Sequence, residues 1–498
     1  MQISTNTISK YIKRLNNGTG SDGIHSVFLK RVSKKFLQNI VYFMNCSLDH
    51  CALPIRFLMD DINPIIKNLK GNTTDSSNFR PVMQSSCLLK IFELHILSYL
   101  EEKIHFNIRQ FGFKKGSSTA DACLLVKETA NEYIKQKGKA YAAFIDLSKA
   151  FDKVDHYILG NQLLDKKIPP DIVLTLMFYL RNQSARISWN GNKGKYKYIN
   201  KGVRQGGILS PFLFKFYIND LITKISNVDV GCKLGFLRLN IIAYADDLVI
   251  ISENCKSLEH IYVILKSGLK ELKLDMNTSK TKCMIFQGGR NGCNPEILNI
   301  GNDDIEVVNN YRYLGHILNF NLNDEADIKL RLNDFYGKFN SVFRNFKYVS
   351  VETFMFLFQA YCLPDYGLSL WNAASILNKS IFKTMETAFS NSIKKILGVP
   401  LYASNHVSAD ICSQLLLKHH FLYVQVRYLK RIISGKKEIM RICQTNLKEG
   451  YLFKSMNKLF KDTYNCSVWD NYLDVLKSRI CWVQKHETRR GICDFYGI

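Results

Sequence analysis

The stretch Ile241-Ile-Ala-Tyr-Ala-Asp-Asp-Leu-Val-Ile-Ile251 sets two adjacent acids, Asp246 and Asp247, inside an oily run. The β-branched and apolar residues on both sides read as a buried strand–turn–strand hairpin. One unpaired buried carboxylate is costly, and two side by side also repel each other. A fold tolerates the pair when cations sit on it, so the run predicts a divalent-metal site. A plain hairpin tip would use Asn-Gly or Asp-Gly in place of Asp-Asp. A second acid, Asp146, interrupts another oily strand at Ala142-Ala-Phe-Ile-Asp-Leu147. Two strands that each carry such an acid can pair so that their carboxylates converge. Convergence of that kind holds two Mg²⁺ ions about 4 Å apart.

The totals narrow what such a centre acts on. At 498 residues the chain exceeds one simple core, so roughly three domains or subdomains are expected. A hydrophobic share of 46% and an aromatic share of 12% describe a globular chain rather than a disordered one. Lys and Arg outnumber Asp and Glu by 68 to 43, a net charge of +25 that favours a polyanionic partner, nucleic acid first. A membrane surface would attract the same charge, but no apolar stretch approaches the roughly 20 residues that span a bilayer. The start, Met1 to Asn17, is polar and basic, without the core of a secretory signal. The fourteen scattered cysteines read as reduced thiols of an intracellular chain. Neither Cys46, His50 and Cys51 nor Cys481, His486 and Cys493 has finger or knuckle spacing, so buried thiols are expected rather than zinc ligands.

Along the chain, residues 1–60 alternate basic and apolar positions as short amphipathic helices do, and a turn-like loop follows at Gly71 to Asn78. The span 84–135 reads as helical with a break at Gly112 to Ser118, and strands are predicted at Tyr141 to Asp146 and Ile241 to Ser252. Between them, Ser210-Pro211 predicts a helix start with Ser as cap and Pro as first helical residue. Leu213, Phe216, Tyr217 and Leu221 form its apolar stripe. From about 321, Ile328, Leu332, Phe335, Phe339, Val342 and Phe346 step by three or four, while Lys329, Arg331, Lys338 and Arg344 fall elsewhere on the helix. The last 88 residues hold 16 Lys/Arg against 7 Asp/Glu. The expected divisions are a helical extension over 1–60, a mixed region over 61–320, a helical region over 321–410 and a basic region over 411–498.

Motifs in order carry a family resemblance. Ser21-Asp-Gly-Ile24, Asn78-Phe-Arg-Pro81 with Lys90-Ile-Phe-Glu93, and Gln110-Phe-Gly-Phe-Lys-Lys-Gly-Ser-Ser-Thr119 come first. Phe144-Ile-Asp-Leu-Ser-Lys-Ala-Phe-Asp152, Gly202-Val-Arg-Gln-Gly-Gly-Ile-Leu-Ser-Pro211 and Tyr244-Ala-Asp-Asp247 follow, then Leu274 to Phe286 and Tyr313-Leu-Gly315. Each alone is weak, but the ordered set resembles the reverse transcriptases of non-LTR (LINE-type, jockey-like) retrotransposons. The resemblance implies an α+β, right-hand polymerase: fingers, an antiparallel-sheet palm, a helical thumb and a helical, basic C-terminal extension.

It also implies roles. Asp146 and Asp246 would bridge two Mg²⁺ ions, with Mn²⁺ as a substitute, and Asp247 would be an auxiliary acid. Lys280 resembles the lysine proposed to protonate the leaving pyrophosphate. Arg80 and a lysine, Lys70 or else Lys67, would meet the dNTP triphosphate, although this loop departs from the usual Lys-Lys-Gly-Asp pattern. Phe151 occupies the sugar-selection position, and Gln205 and Gly206 lie on a loop that approaches nucleotide or template. Tyr313, Leu314 and Gly315 resemble the primer grip. Asp152 and Asp155, just past the first palm motif, read as caps or surface acids. The implied partners are template RNA, a DNA primer and dNTP, with no membrane, in the nucleus or a cytoplasmic ribonucleoprotein. Relatives carry an endonuclease ahead of the polymerase, whereas here the motifs begin near Ser21, so none is expected in this polypeptide. Two other readings share the palm: a silent nucleic-acid-binding relic, and an RNA-templated RNA polymerase or intron maturase. Phe151 and Arg204-Gln-Gly-Gly207 favour deoxynucleotides over the last of these.

Overall fold

The computed structural model describes residues 2–434 other than 69–70, 290–291, 293–296 and 364–365. Lys70 and the basic region from 435 onward, with Cys481, His486 and Cys493, lie outside the described residues. Helices α1 (Thr5–Arg14) and α2 (Lys34–Asp49) precede strands β1 (Met59–Ile66) and β2 (Phe79–Gln84). Then come α3 (Cys87–Lys103), α4 (Thr119–Lys135), β3 (Ala140–Ile145), α5 (His156–Asp165), α6 (Pro170–Arg181), β4 (Ser184–Trp189) and α7 (Ser210–Ser226). They are followed by β5 (Ile241–Tyr244), β6 (Asp247–Ser252), α8 (Cys255–Glu271), β7 (Lys282–Phe286), β8 (Ile297–Ile300) and β9 (Asp303–Val307). A hairpin, β10 (Asn310–Tyr313) and β11 (His316–Asn319), leads into α9 (Glu325–Asn345), α10 (Ser380–Leu397) and α11 (Leu417–Ser434).

Two sheets divide the strands. The fingers sheet runs β2-β1-β4, and the palm sheet runs β8-β9-β7-β3-β6-β5. This is the α+β right-hand arrangement. The palm is antiparallel except where β7 pairs with β9 in parallel, Lys282 beside Glu306 and Cys283 beside Val307. Its side chains alternate between two cores, as a period of two requires. Ala142, Phe144, Val249, Ile251, Met284 and Phe286 belong to a core shared with α4 and the C-terminal helices. Ala143, Ile145, Leu248, Ile250, Cys283 and Ile285 belong to the opposite core, shared with α7 and α8. With both faces covered, the strands carry unbroken apolar runs instead of polar alternation.

Two expectations are revised. Ser210 is the first helical residue of α7 and not its cap, because Leu209 already has helical backbone angles (φ −80°, ψ −26°) and the helix starts without a side-chain cap. The stripe on α7 also widens, since Phe212, Phe214, Ile218 and Ile222 are buried along with Leu213, Phe216, Tyr217 and Leu221.

In α9, Ile328, Leu332, Phe335 and Phe339 are buried, but Phe346 lies one residue past the helix end and is 43% exposed. Arg331 departs from a solvated basic face: it is buried and reaches the carbonyl of Gly315 and the carboxylate of Asp327, the latter at 3.2 Å. Asp327 also accepts from the Trp371 indole at 2.9 Å and the Ile317 N–H at 3.0 Å, with His316 Nδ1 3.1 Å away. Asp324 pairs with Lys127 of α4 at 2.6 Å and accepts from Asn372 N at 2.9 Å. Burial works against the charge on Asp327, yet His316 and Arg331 outweigh it and hold the carboxyl far below the usual range. Removing one member of such a set leaves the others buried and uncompensated. Asp327→Ala is expected to cost about 3–5 kcal/mol and to lower the thermal midpoint by several degrees. An unchanged midpoint in a melting curve would show that the network contributes nothing to stability.

Candidate active site

The site grows from one strand pairing. β3 and β6 run antiparallel with Leu248 opposite Ile145 and Val249 opposite Phe144. Asp146 directly follows Ile145 and Asp247 directly precedes Leu248, so both acids stand at the same end of this strand pair. β5 returns with Tyr244 opposite Asp247, which leaves Ala245 and Asp246 as the two turn residues. Ala245 has φ +57°, the left-handed region that a hairpin normally fills with glycine.

Neighbouring segments hold this turn. Gln110 is fully buried, and its Oε1 accepts from Ala245 N at 3.1 Å and from Gly112 N at 2.9 Å. Phe111 N donates to Ala243 O at 2.8 Å, and Ala243 N to Arg109 O at 3.0 Å. Gly112 permits the approach, since a Cβ there would lie 2.3 Å from Ala245 N. On the other strand, Asn277 N donates to Asp146 O at 2.8 Å and Asp146 N approaches the Thr281 hydroxyl at 3.4 Å. Lys280, next to Thr281, is exposed.

Asp247 senses both other carboxylates, and Asp246 senses Asp146. Burial pushes the Asp246 carboxyl up and Asp146 adds to the rise, while a backbone hydrogen bond and Arg80 pull it down. Solvent reaches Asp247, but crowding by protein, then Asp246 and Asp146, push it up to about 6. Burial and the charges of Asp247 and Asp146 push the phenol of Tyr311 up to about 12. Among the described residues, no three His, Cys, Asp or Glu side chains stand as a ready-made metal cage. The donor set nonetheless suits Mg²⁺, which takes one or two protein carboxylates and completes its shell with water and substrate phosphate. Cations would also relieve the mutual repulsion of Asp146, Asp246 and Asp247.

Arg80 is an exposed residue of β2 whose charge reaches Asp246. Lys67 is also exposed, and its amine is taken by Ser77 O at 2.8 Å. The Phe151 ring stacks on Phe214 at 4.8 Å. Gln205 donates from Nε2 to Asp152 at 2.7 Å and accepts from Met83 N of β2 at 2.8 Å, which ties its loop to the strand carrying Arg80. Gly206 has φ +108°, and a Cβ there would sit 3.0 Å from Met83 O. Asp155 caps α5 by accepting from Tyr157 N and Ile158 N and pairs with Lys273 at 2.7 Å. In the β10–β11 hairpin, Leu314 (φ +47°) and Gly315 (φ +80°) form the turn, while Tyr313 is buried. Tyr366 donates to Leu314 O and Arg331 to Gly315 O, which fixes the hairpin to the C-terminal helices.

Several contributors had no role assigned from sequence. Gln110 is one, and Tyr311, stacked on Phe144 at 4.3 Å, is another. A third group lies beneath the Gln205 loop. Buried Glu93 accepts from Ile208 N at 2.7 Å and the Tyr179 hydroxyl at 2.5 Å, and buried Arg204 pairs with Asp60 at 3.2 Å. Burial pushes Asp60 up to about 6, with Glu93 adding to the rise and Arg204 opposing it. Glu93 carries the same signal as Asp146: a lone acid in an oily run, here Cys87 to Leu100.

Comparison with known proteins points in one direction. The reverse transcriptase (RNA-dependent DNA polymerase) family pattern matches residues 67–318. The chain is 26% identical over 328 residues to a Pol polyprotein of the type-1 retrotransposable element R2 of Nasonia vitripennis, covering 64% of this chain and 31% of that protein. It is 28% identical over 263 residues to the RNA-directed DNA polymerase from mobile element jockey of Drosophila melanogaster, covering 52% and 27%. The chain thus spans about a third of the length of these relatives. A solved telomerase from Candida tropicalis, in complex with a TWJ fragment of telomeric RNA, aligns with a TM-score of 0.40 at 12% identity, over 90% of this chain and 68% of that one.

The elevated Asp247 carboxyl has a consequence for stability. The folded state binds this proton more tightly than the unfolded state, so ionisation costs stability as pH rises from about 4 to about 6. In metal-free protein, Asp247→Asn should melt with wild type below pH 4 and above it at pH 7. The gain is on the order of 1 kcal/mol, water on the open side screening the rest. A difference that is constant with pH, or of opposite sign, would remove the electrostatic account.

Proposed function

Because the chain belongs to the reverse transcriptase (RNA-dependent DNA polymerase) family, of the kind carried by non-LTR retrotransposons, we propose that it copies RNA into DNA by adding dNTP to a primer 3′-hydroxyl. The observation that carries this reading is the register of β3 and β6, which sets Asp146, Asp246 and Asp247 at one end of the palm sheet.

The family is generally dependent on divalent metal. Two such ions, Mg²⁺ with Mn²⁺ as a substitute, held by Asp146 and Asp246 with Asp247 auxiliary, would acidify the primer hydroxyl and neutralise the departing pyrophosphate. The rest falls to the protein. Arg80 offers a planar fork to phosphate oxygens. Phe151, backed by Phe214, presents a wall where a ribose 2′-hydroxyl would collide. Gln205 and Gly206 bring backbone close to the nucleotide, and Glu93 and Arg204 steady that loop from below. The hairpin at Tyr313, Leu314 and Gly315 would support the primer end, and Lys280 would supply a proton to pyrophosphate. Template RNA and a DNA primer fit the +25 charge through phosphate contacts, which position without reading sequence. Action on chromosomal DNA would place the chain in the nucleus.

Primer extension on an RNA template with Mg²⁺ and dNTP tests the proposal. Wild type is expected to extend the primer, and Asp246→Asn to lose at least about 10³-fold in rate, as when a charge-stabilising group is removed from a polar active site. Salt-sensitive RNA binding without any extension by folded wild-type protein would select the silent relic instead.

A further inference from the structure

Phe113 is an exposed aromatic in a costly backbone conformation, beside both the catalytic turn and the sugar-selection residue. It is 54% exposed and has φ +52°, a region that bulky residues rarely adopt. Half out of the core, it gains little packing in return. A glycine would occupy the same backbone position without strain.

Its surroundings say what the ring touches. The Phe113 ring lies 6.4 Å from Phe151, edge to face at 80°. Phe151 in turn stacks at 18° on fully buried Phe214. Phe151 therefore touches a fully buried core ring and an exposed one, Phe113. The segment carrying Phe113 has little freedom of its own. Gly112 abuts the backbone of Ala245, and Gln110 bridges Gly112 N to Ala245 N through one carbonyl oxygen. The strained turn that presents Asp246 and the strained residue that flanks Phe151 are thus tied into one unit.

We propose that Phe113 is a second specificity-determining residue, which holds the Phe151 ring in the position that excludes a ribose 2′-hydroxyl. This rests on the nucleotidyl-transfer reading above and on the gate role of Phe151. Without the flanking ring, Phe151 has open space to turn into, and a sugar bearing a 2′-hydroxyl gains room. An edge-to-face aromatic pair is weak singly, but discrimination needs only a difference between two sugars.

The test is single-nucleotide extension with matched dNTP and rNTP, for wild type, Phe113→Gly, Phe113→Tyr and Phe151→Ala, with a thermal midpoint for each. For Phe113→Gly, the ratio of rNTP to dNTP incorporation should rise roughly tenfold, as expected when one apolar contact that separates two substrates is lost. Its midpoint should stay level or rise because the backbone strain is relieved. Phe113→Tyr should keep wild-type discrimination. If Phe113→Gly discriminates like wild type while Phe151→Ala does not, the role of Phe113 is overturned and the polymerase reading stands. If Phe113→Gly loses both nucleotides in equal measure, the residue supports catalysis generally and sugar selection by it is overturned. If wild type extends no primer, or Phe151→Ala selects sugars unchanged, the underlying reading fails and takes this one with it.

Discussion

The antiparallel pairing of β3 with β6 is the constraint on which the rest depends. Its register, Ile145 against Leu248, decides which residues face each core and where the acids emerge. A slip of β3 by one residue would send Phe144 to the opposite core and carry Asp146 away from the turn that holds Asp246. Both faces are apolar, so the slip is opposed by shape, because each face packs against its own set of helices. Core packing thus sets the geometry of the acids, which repel one another and ride on strands paired by their apolar faces.

Second to that pairing is the arrangement of strain and support around it. Ala245 and Phe113 both adopt left-handed backbone angles, and Gln110 and Gly112 lie between them. On the opposite side, the Gln205 loop rests on Glu93 and Arg204 and is pinned to β2 through Met83. Buried charges of this sort are weak as stabilisers, and their value here is in fixing one loop conformation.

Much of this was legible in the chain itself. Asp146 and the Asp246–Asp247 pair stand out because an acid inside an oily run demands a reason, and the ordered motifs supplied the family. The strands over 140–145 and 241–252 were visible for the same cause, since burial on both faces leaves long apolar runs. What escaped was pairing at a distance. Glu93 meets Tyr179 across 86 residues and Arg204 meets Asp60 across 144, and no local pattern reports such partners. Arg331 misled because a basic residue on an amphipathic helix is usually solvated, whereas here a buried aspartate and a hairpin carbonyl claim it. The start of α7 shifted by one residue, which is the scale at which helix ends are ordinarily ambiguous.

The core on one side of the palm sheet does not stop at the palm. Phe144 and Met284 belong to the same apolar cluster as Phe335, Phe358, Trp371, Phe389 and Phe421. Separating the C-terminal helices from the sheet would wet a large set of aromatic rings and strip the Lys127 ammonium from Asp324. The C-terminal helices and the six-stranded sheet are therefore one continuous apolar body, whereas the small sheet of β2, β1 and β4 leaves Ile65, Ile187 and Trp189 in contact with water.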